Sequence, residues 1–375
     1  MKNSLIIVFY FSLLAGADLG KQLSIAGNNR IEIERAINDV PIEQSSGMEW
    51  LITHMPDKDL KILSADFLLS NCNLSYEAWN NAPWGSDIPE EIFLNSILPY
   101  ANLNERRDEW REDFQNKFAS IVKNAKSPYE AAALLNHQIY EKVGIIYSTD
   151  RPKADQSPYE SINAGMASCT GLSILLVDAC RSVGVPARFV GTPLWYNNTG
   201  NHSWVEIWDN GWHFTGAAEP TGNKLNETWF SELAGNATKG DMTYGIFAAT
   251  WDESDIYFPM DWLPGVKNYG AIDVTDRYKI RDIPAEELVP IRIRALDSSG
   301  LRRIVKVTVI GEDNFIFEGV SKGESCDAND HLTVMLPKGK TFTVKSTNDV
   351  QTVDVVKEYI VDLSAGEIDN IIINQ

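Results

Sequence analysis

Positive charge is scarce in this sequence, and no basic run occurs in it. Its 375 residues carry 33 Lys and Arg against 52 Asp and Glu, which gives a formal net charge of −19. A surface this acidic repels phosphate backbones, so we exclude nucleic acid as a partner. The sequence also has no internal repeat and no C-x-x-C or H-E-x-x-H spacing. We therefore expect a globular protein with no metal site and no cofactor.

Long apolar runs are missing after the first seventeen residues. Lys2 is followed by the almost wholly apolar segment 4–14 and by the small-x-small pattern Ala15-Gly16-Ala17. This pattern predicts a signal peptide over residues 1–17, with a buried N-terminal helix as the alternative. No Cys follows the predicted cleavage site, and no later segment predicts a membrane span. We therefore expect a secreted or periplasmic protein without a lipid anchor.

Cysteine is also rare, with four residues in the chain: Cys72, Cys169, Cys180 and Cys326. Cys169 and Cys180 are predicted to share one helix, in which eleven residues rise by about 16 Å, too far for a disulfide. If Cys169 is a free thiol, three cysteines remain, and the sequence leaves their pairing open.

The spacing of apolar residues and of turn residues along the chain predicts an α+β fold in three parts. Residues 18–126 are charged and mostly of helical character. Residues 127–285 begin with the helix-start signal Ser127-Pro128 and mix helices with strands, which predicts an antiparallel sheet. Residues 286–375 alternate apolar and polar positions, with turn residues at intervals of about ten, which predicts a β-sandwich.

The middle part changes its hydrophobic period from 3.6 to 2. Apolar residues at helical spacing predict a helix from Cys169 to Val183, ended by Gly184. Three strands are predicted after it, at 187–192, 202–209 and 212–215. The last two are joined by Asn210-Gly211, which favours a two-residue hairpin turn.

Cys169 is the candidate nucleophile. It opens the predicted helix, where unpaired N–H groups and the helix dipole favour a thiolate. The alternative, a small buried hydrophobe, is common for Cys, but the neighbours Ser168 and Thr170 are polar. His202 begins a strand soon after this helix, which makes it the candidate general base.

The candidate acid follows from the predicted hairpin register. A two-residue turn at Asn210-Gly211 sets His202 opposite Glu219, with Cβ atoms about 4.5–5.5 Å apart. A carboxylate at that distance can orient an imidazole. A bulge at 216–218 would shift the pairing by one residue. The sequence therefore predicts a Cys169-His202-Glu219 triad, with an acid elsewhere as the alternative.

Two further residues are candidates for contact with substrate. The side-chain amide of Gln156 is a candidate oxyanion donor beside the backbone N–H of Cys169, although a turn-forming role also suits this Gln. Trp195 belongs to a group of tryptophans in this region, most of which are expected to pack in the core. It is a candidate wall of the substrate channel.

These motifs resemble the transglutaminase-like superfamily, relatives of the papain-fold thiol enzymes. The similar segments are 167–173 around Cys169, 184–188, 202–208, and Glu219-Pro220-Thr221 in place of the family's Asp-Pro-Thr. The resemblance covers roughly residues 127–232, and segment 83–100 resembles the helical lead-in of secreted bacterial members. It implies a Cys-His-acid triad on a helix packed against an antiparallel sheet. It also implies a peptide or protein substrate, including cell-wall or glycoprotein amides.

The resemblance leaves more than one function open. The Gly-Gln-Cys-Trp context of animal cross-linking enzymes is absent and no calcium loop is visible, which favours a hydrolytic peptidase or amidase. A protein-glutamine transglutaminase, in which an amine replaces water as the acceptor, is the first alternative. A catalytically silent adhesion or assembly module is the second.

Overall fold

The computed structural model describes residues 19–279, 288–311 and 316–365, and these residues form two compact units. The first unit contains the described residues up to 146, together with 151–228 and 237–277. The second contains 147–150, 229–236 and the described residues from 278 onward. Helices and antiparallel sheets confirm the predicted α+β class. The predicted signal peptide and the predicted boundary at 285 lie outside the described residues.

The N-terminal part of the first unit is helical, as the sequence predicts. Residues 19–26 are helical, and short 3-10 turns lie at Gly27–Asn29, Ile42–Gln44 and Gly85–Asp87. None of the helices in the described ranges combines the length and hydropathy needed to cross a bilayer. The helices of this part are α1 (Arg30–Asp39), α2 (Ser45–His54), α3 (Asp57–Leu60), α4 (Ala65–Asn81), α5 (Glu90–Ser96) and α6 (Arg111–Val122).

The next elements in the chain lead to the helix that begins with the predicted nucleophile. Ser127 caps the first of them, its Oγ accepting a hydrogen bond from the Glu130 N–H at 3.3 Å, and Gly144 ends it at a φ of 71°. This left-handed conformation suits glycine because a Cβ is disfavoured there. The elements in chain order are α7 (Pro128–Val143), β1 (Ile146–Tyr147), α8 (Pro158–Ala164), β2 (Met166–Ala167) and α9 (Cys169–Ser182).

A five-stranded antiparallel sheet, ordered β5-β4-β3-β6-β7, packs against α9. Ile174 of the helix joins Phe189 and Phe247 of the sheet in one apolar cluster. Burial of this apolar surface fixes the helix on the sheet. The strands are β3 (Ala187–Thr192), β4 (His202–Trp208), β5 (Trp212–Thr215), β6 (Phe247–Thr250) and β7 (Gly270–Asp273). In chain order, the short helix α10 (Ser231–Gly235) precedes β6 and the short helix α11 (Thr275–Tyr278) follows β7.

Two buried arginines tie α6 and α9 to the segment 96–101. Arg111 Nη2 donates to the carbonyl oxygens of Ile97 at 2.9 Å and Pro99 at 3.1 Å. Arg181 Nη1 donates to the carbonyl oxygens of Pro99 at 3.1 Å and Ala101 at 3.0 Å. Buried backbone carbonyls need such donors. The helical region predicted at 18–126 and the core predicted from 127 therefore lie in one compact unit.

Strand β4 carries a buried ion cluster centred on Glu206, which is 0% exposed. Arg188 donates through Nε and Nη2 to one carboxylate oxygen at 2.8 and 2.6 Å. Arg277 Nη1 lies 2.6 and 2.7 Å from the two oxygens. The Arg188 guanidinium also covers the Trp212 ring at 3.7 Å. Two guanidiniums satisfy the charge that burial would otherwise make costly.

The second unit is a β-sandwich, as the sequence predicts. One sheet has the order β10-β9-β12-β13 and the other β11-β8-β14, in which β14 runs parallel to β8. Both sheets contribute to one core that includes Ile293, Val309 and Phe342. A strand predicted at 371–373 lies outside the described residues. The strands are β8 (Leu288–Leu296), β9 (Lys306–Ile310), β10 (Ile316–Val320), β11 (Leu332–Pro337), β12 (Thr341–Lys345), β13 (Val350–Asp354) and β14 (Tyr359–Ser364).

Candidate active site

Cys169 is the first residue of α9, where the sequence predicts it. Ser168 caps the helix: its Oγ accepts from the Gly171 N–H at 3.2 Å and donates to the Ala154 carbonyl at 2.7 Å. Every later residue of the helix is buried, whereas Cys169 is partly exposed and carries a free thiol. A residue in the first turn has an N–H that the helix itself does not use. The partly exposed Cys169 thus lies beside backbone N–H donors of the first turn and at the positive end of the helix dipole.

His202 begins β4, and its side chain is only 1% exposed. A ring nitrogen of His202 and the Cys169 Sγ lie within 4.8 Å of each other. The hydroxyls of Thr170 and Ser203 hydrogen-bond at 3.1 Å, which joins the residue after Cys169 to the residue after His202. The structure therefore brings the predicted nucleophile and base together, and a direct contact holds helix and strand in place.

The hairpin after His202 differs from the predicted one. Trp208 pairs with Trp212, so the loop contains the three residues 209–211 and the register is shifted by one residue. Asn210 has a φ of 53° and Gly211 a φ of 153°. Asparagine and glycine tolerate a positive φ. Both two-residue turns and three-residue hairpin loops contain residues with a positive φ. The prediction of a two-residue turn is therefore wrong. The Asn-Gly dipeptide fits both loop lengths, so it could not select between them.

Glu219 nevertheless lies beside His202. Its Oε2 is 3.5 Å from the His202 Nε2, and its side chain is 14% exposed. The predicted cross-strand pairing does not produce this contact, since β5 ends at Thr215. The chain turns instead, with Ala218 in the left-handed region at a φ of 63° and the Glu219 N–H bonded to the Gly216 carbonyl at 3.2 Å. A non-glycine residue in that region costs roughly 1–2 kcal/mol.

Gln156 does not take the predicted place of an oxyanion donor. Its side chain is buried, and Nε2 donates to the carbonyl oxygens of Glu160 at 3.3 Å and Met166 at 3.1 Å. An amide nitrogen has two protons, and both are directed at backbone acceptors. The turn-forming alternative is thus the one that the structure supports, and Gln156 holds the loop that precedes α9.

Trp195 packs against the imidazole. It is 1% exposed, its ring centroid lies 6.1 Å from that of His202, and it stacks on Trp204 at 5.9 Å. Trp204 in turn stacks on His202 at 5.9 Å. Two indoles therefore restrict the ring of His202, and Trp195 contributes packing more than an open channel wall.

Sequence reasoning missed Asn136, which lies in the middle of α7. Its buried amide bonds to Thr215, Gly216 and Ala218, the residues that lead to Glu219. An Asn in a helix interior is weakly unfavourable, and that propensity conflict was the one local signal. Its partners lie about eighty residues away in sequence, so spacing gave no indication of the contact.

The fold and this geometry define a mixed α+β protein with a cysteine at a helix N-terminus facing a histidine on an antiparallel sheet. Residues 115–216 match the family model described as Transglut_core, the transglutaminase-like superfamily. This segment is therefore similar to the transglutaminase-like superfamily, whose members are typically cysteine-based enzymes. No curated protein matches the chain at a significant level.

Solved structures give distant likenesses. A protein from Cytophaga hutchinsonii, provisionally named a cysteine protease, is 18% identical over 36% of this chain and 44% of its own, with a TM-score of 0.29. Red sea bream transglutaminase is 10% identical over 74% of this chain and 66% of its own, with a TM-score of 0.32. A C-terminal fragment of the pilus adhesin SpaC from Lactobacillus rhamnosus GG is 12% identical over 45% of this chain and 74% of its own, with a TM-score of 0.17. The chain thus spans less than half of the Cytophaga protein.

Proposed function

We propose that this protein is a thiol enzyme that transfers acyl groups from amide bonds of peptides or proteins, with water as the preferred acceptor. Cys169 is the nucleophile, His202 the general base and acid, and Glu219 the carboxylate that orients the imidazole. The observation that carries the proposal is the joint placement of these three groups. The Cys169 Sγ lies within 4.8 Å of a ring nitrogen of His202, and the Glu219 Oε2 lies 3.5 Å from the His202 Nε2.

The chemistry follows from these positions. Because Glu219 lies at Nε2, we assign the exchange of a proton with Cys169 to Nδ1. The thiolate attacks the amide carbonyl, and His202 returns the proton to the leaving amine, so that a thioester remains on Cys169. His202 then removes a proton from water, and the resulting attack releases the carboxylic acid and the thiol. The Cys169 N–H at the start of α9 is placed to donate to the oxyanion of both tetrahedral intermediates.

Labelling with iodoacetamide tests the nucleophile without knowledge of the substrate. We expect Cys169 to react about tenfold or more faster than Cys326 at pH 7, because a ring nitrogen of His202 lies close enough to its sulfur to accept the thiol proton. Cys326 is the matched control: it is the other partly exposed cysteine, and burial followed by the charge of Asp330 raises its pKa. Equal rates at the two thiols would favour a catalytically silent module.

The acceptor is tested by incubation with a labelled amine and a glutamine-bearing protein. Hydrolysis predicts release of ammonia or of new amino termini without incorporation of the label. Cys326→Ala is expected to behave as wild type and Cys169→Ala to be inactive. Incorporation of the amine that disappears only in Cys169→Ala would make the protein a transglutaminase instead.

We also propose export, with cleavage after Ala17. The support is the charged start and apolar run of residues 2–14, followed by small residues. Expression of the full chain in a secreting host, followed by N-terminal sequencing, is the test. A mature terminus at Asp18 is expected, and an intact Met1 in the cell-associated protein would contradict it.

A further inference from the structure

The turn that carries Glu219 is bound by the side chain of Asn136 from the neighbouring helix α7. Asn136 of α7 is 2% exposed. Its Nδ2 donates to Thr215 Oγ1 at 3.0 Å and to the Gly216 carbonyl at 2.8 Å, and its Oδ1 accepts from the Ala218 N–H at 2.9 Å. Both protons and one acceptor site of the amide are therefore used. All of these partners lie within the four residues that precede Glu219.

The turn itself is constrained at two points. Ala218 has a φ of 63°, a conformation that L-residues rarely adopt, and its N–H is one of the groups held by Asn136. Gly216 is constrained by space, since a Cβ there would lie 2.1 Å from the Glu219 Oε2 and 3.0 Å from its Cβ. Only glycine at 216 allows the carboxylate to occupy its position beside His202.

Helix α7 also contacts the nucleophile helix, one turn beyond Asn136. The Tyr140 hydroxyl donates to the carbonyl of Leu172 in the first turn of α9 at 2.9 Å. Residues 136 and 140 lie on one face of α7 because they are four positions apart. One helix face thus binds both the turn before Glu219 and the helix that begins with Cys169.

These contacts lead us to infer that Asn136 is a positioning residue that sets the Glu219 carboxylate against His202, with Gly216 as the residue that leaves room for it. This inference rests on the proposed function, since it assigns a role through Glu219. When Asn136 is lost, the strained turn relaxes and the carboxylate withdraws. The imidazole then keeps its place among the indoles but loses its acidic partner.

The molecule offers a control asparagine with the same number of hydrogen bonds, at a less buried position. Asn95 of α5 holds another loop with the same pattern: Nδ2 donates to Thr250 Oγ1 at 2.7 Å and to Asp252 Oδ2 at 2.8 Å, and Oδ1 accepts from the Trp251 N–H at 2.8 Å. Asn95→Ala therefore removes the same number of hydrogen bonds between a helix and a post-strand loop, without touching the turn before Glu219. The labelling rate of Asn95→Ala therefore measures the effect of losing an asparagine that only supports the fold.

The test is a double-mutant cycle read out by the iodoacetamide rate at Cys169, measured from pH 4 to 9 on the full chain with thermal unfolding in parallel. We expect Asn136→Ala and Glu219→Gln each to slow labelling at pH 7 by about tenfold and to share one pH profile. The double variant should be no slower than Glu219→Gln alone. Gly216→Ala should resemble both, whereas Asn95→Ala should keep the wild-type profile.

The outcomes separate the inference from the proposed function. If Glu219→Gln slows labelling but Asn136→Ala does not, or if their effects multiply, Asn136 acts structurally and the inference is overturned while the triad stands. If Glu219→Gln leaves the profile unchanged, the acid is assigned wrongly and both fail. If Asn95→Ala slows labelling as much as Asn136→Ala does, general loss of packing explains the effect and the inference fails.

Discussion

Among the residues that the structure describes, two histidines are buried, one in each compact unit, and the charges beside them have opposite signs. His202 is 1% exposed and lies 3.5 Å from the Glu219 carboxylate. His331 is 7% exposed, and burial, followed by the charges of Arg302, Arg294 and Arg292, lowers its pKa to about 4. A carboxylate favours the imidazolium, whereas guanidiniums and desolvation disfavour it. Burial alone therefore does not make a histidine suited to proton transfer; the sign of the neighbouring charge does.

Replacement of each histidine in turn tests this contrast and has the largest expected effect, which is on the rate of reaction at Cys169. We expect His202→Ala to lower amide turnover or Cys169 labelling by about a thousandfold, because general acid-base catalysis and thiolate formation are lost together. His331→Ala should leave the rate within about twofold. The labelling assay measures both variants under one condition. A comparable loss in His331→Ala would show that the C-terminal unit contributes to the chemistry.

The two carboxylates near strands β4 and β5 extend the comparison. Glu206→Gln leaves the guanidiniums of Arg188 and Arg277 without their counter-charge, so we expect a loss of about 3–5 kcal/mol in unfolding free energy. Glu219→Gln should cost less than about 1 kcal/mol, because Glu219 is partly exposed and has a longer contact with its partner. Denaturant unfolding of the two variants tests this order. An equal loss of stability would remove the distinction between a structural and a positioned carboxylate.

The third prediction concerns pH and the second unit. The pKa of His331 lies near 4 in the folded state against an ordinary 6.5, so the unfolded chain binds more protons between these values. Stability therefore falls as the pH falls from about 6.5 to 4, by about 3 kcal/mol at about 1.4 kcal/mol per pH unit. His331→Gln should remove this part of the pH dependence. The difference between wild type and variant in urea unfolding at pH 7 and pH 4 measures it, and parallel curves would contradict the prediction.

The smallest expected effect concerns the contact between the Cys169 helix and the His202 strand. Thr170→Val removes the 3.1 Å hydroxyl bond to Ser203 and should cost about 1 kcal/mol in stability. Labelling of Cys169 should fall only a few-fold, since apolar packing still holds α9 on the sheet. Ser203→Ala serves as the reciprocal variant. A loss as large as that of His202→Ala would mean that this contact, and not the charge beside the imidazole, controls the site.

Local signals in the sequence predicted much of the fold. The helix that begins at Cys169, the cap at Ser127 and the strands around His202 all follow from periodicity and end signals, and the structure confirms them. The sandwich followed from period-two alternation. Where neighbouring residues determine the conformation, the sequence was sufficient.

The errors share a different physical origin. The hairpin register failed because Asn210-Gly211 suits loops of two and of three residues, and only long-range pairing selects between them. Gln156 was misread because its acceptors, the carbonyls of Glu160 and Met166, are backbone groups without a sequence signature. Glu219 was placed beside His202 for the wrong reason: an irregular turn held by Asn136 brings it there.

The paired arginines of α6 and α9 have a consequence for the order of synthesis. Arg111 donates to the carbonyl of Arg181, seventy positions later in the chain. At about 5–20 residues per second, Arg111 and the carbonyls of 96–101 leave the ribosome several seconds before their partner helix. During that interval the emerging helices have no completed interior to enclose a guanidinium. The helices before residue 127 therefore cannot complete their interior until the helix that begins with Cys169 has been synthesised, and a chain interrupted before residue 182 would remain open to proteases.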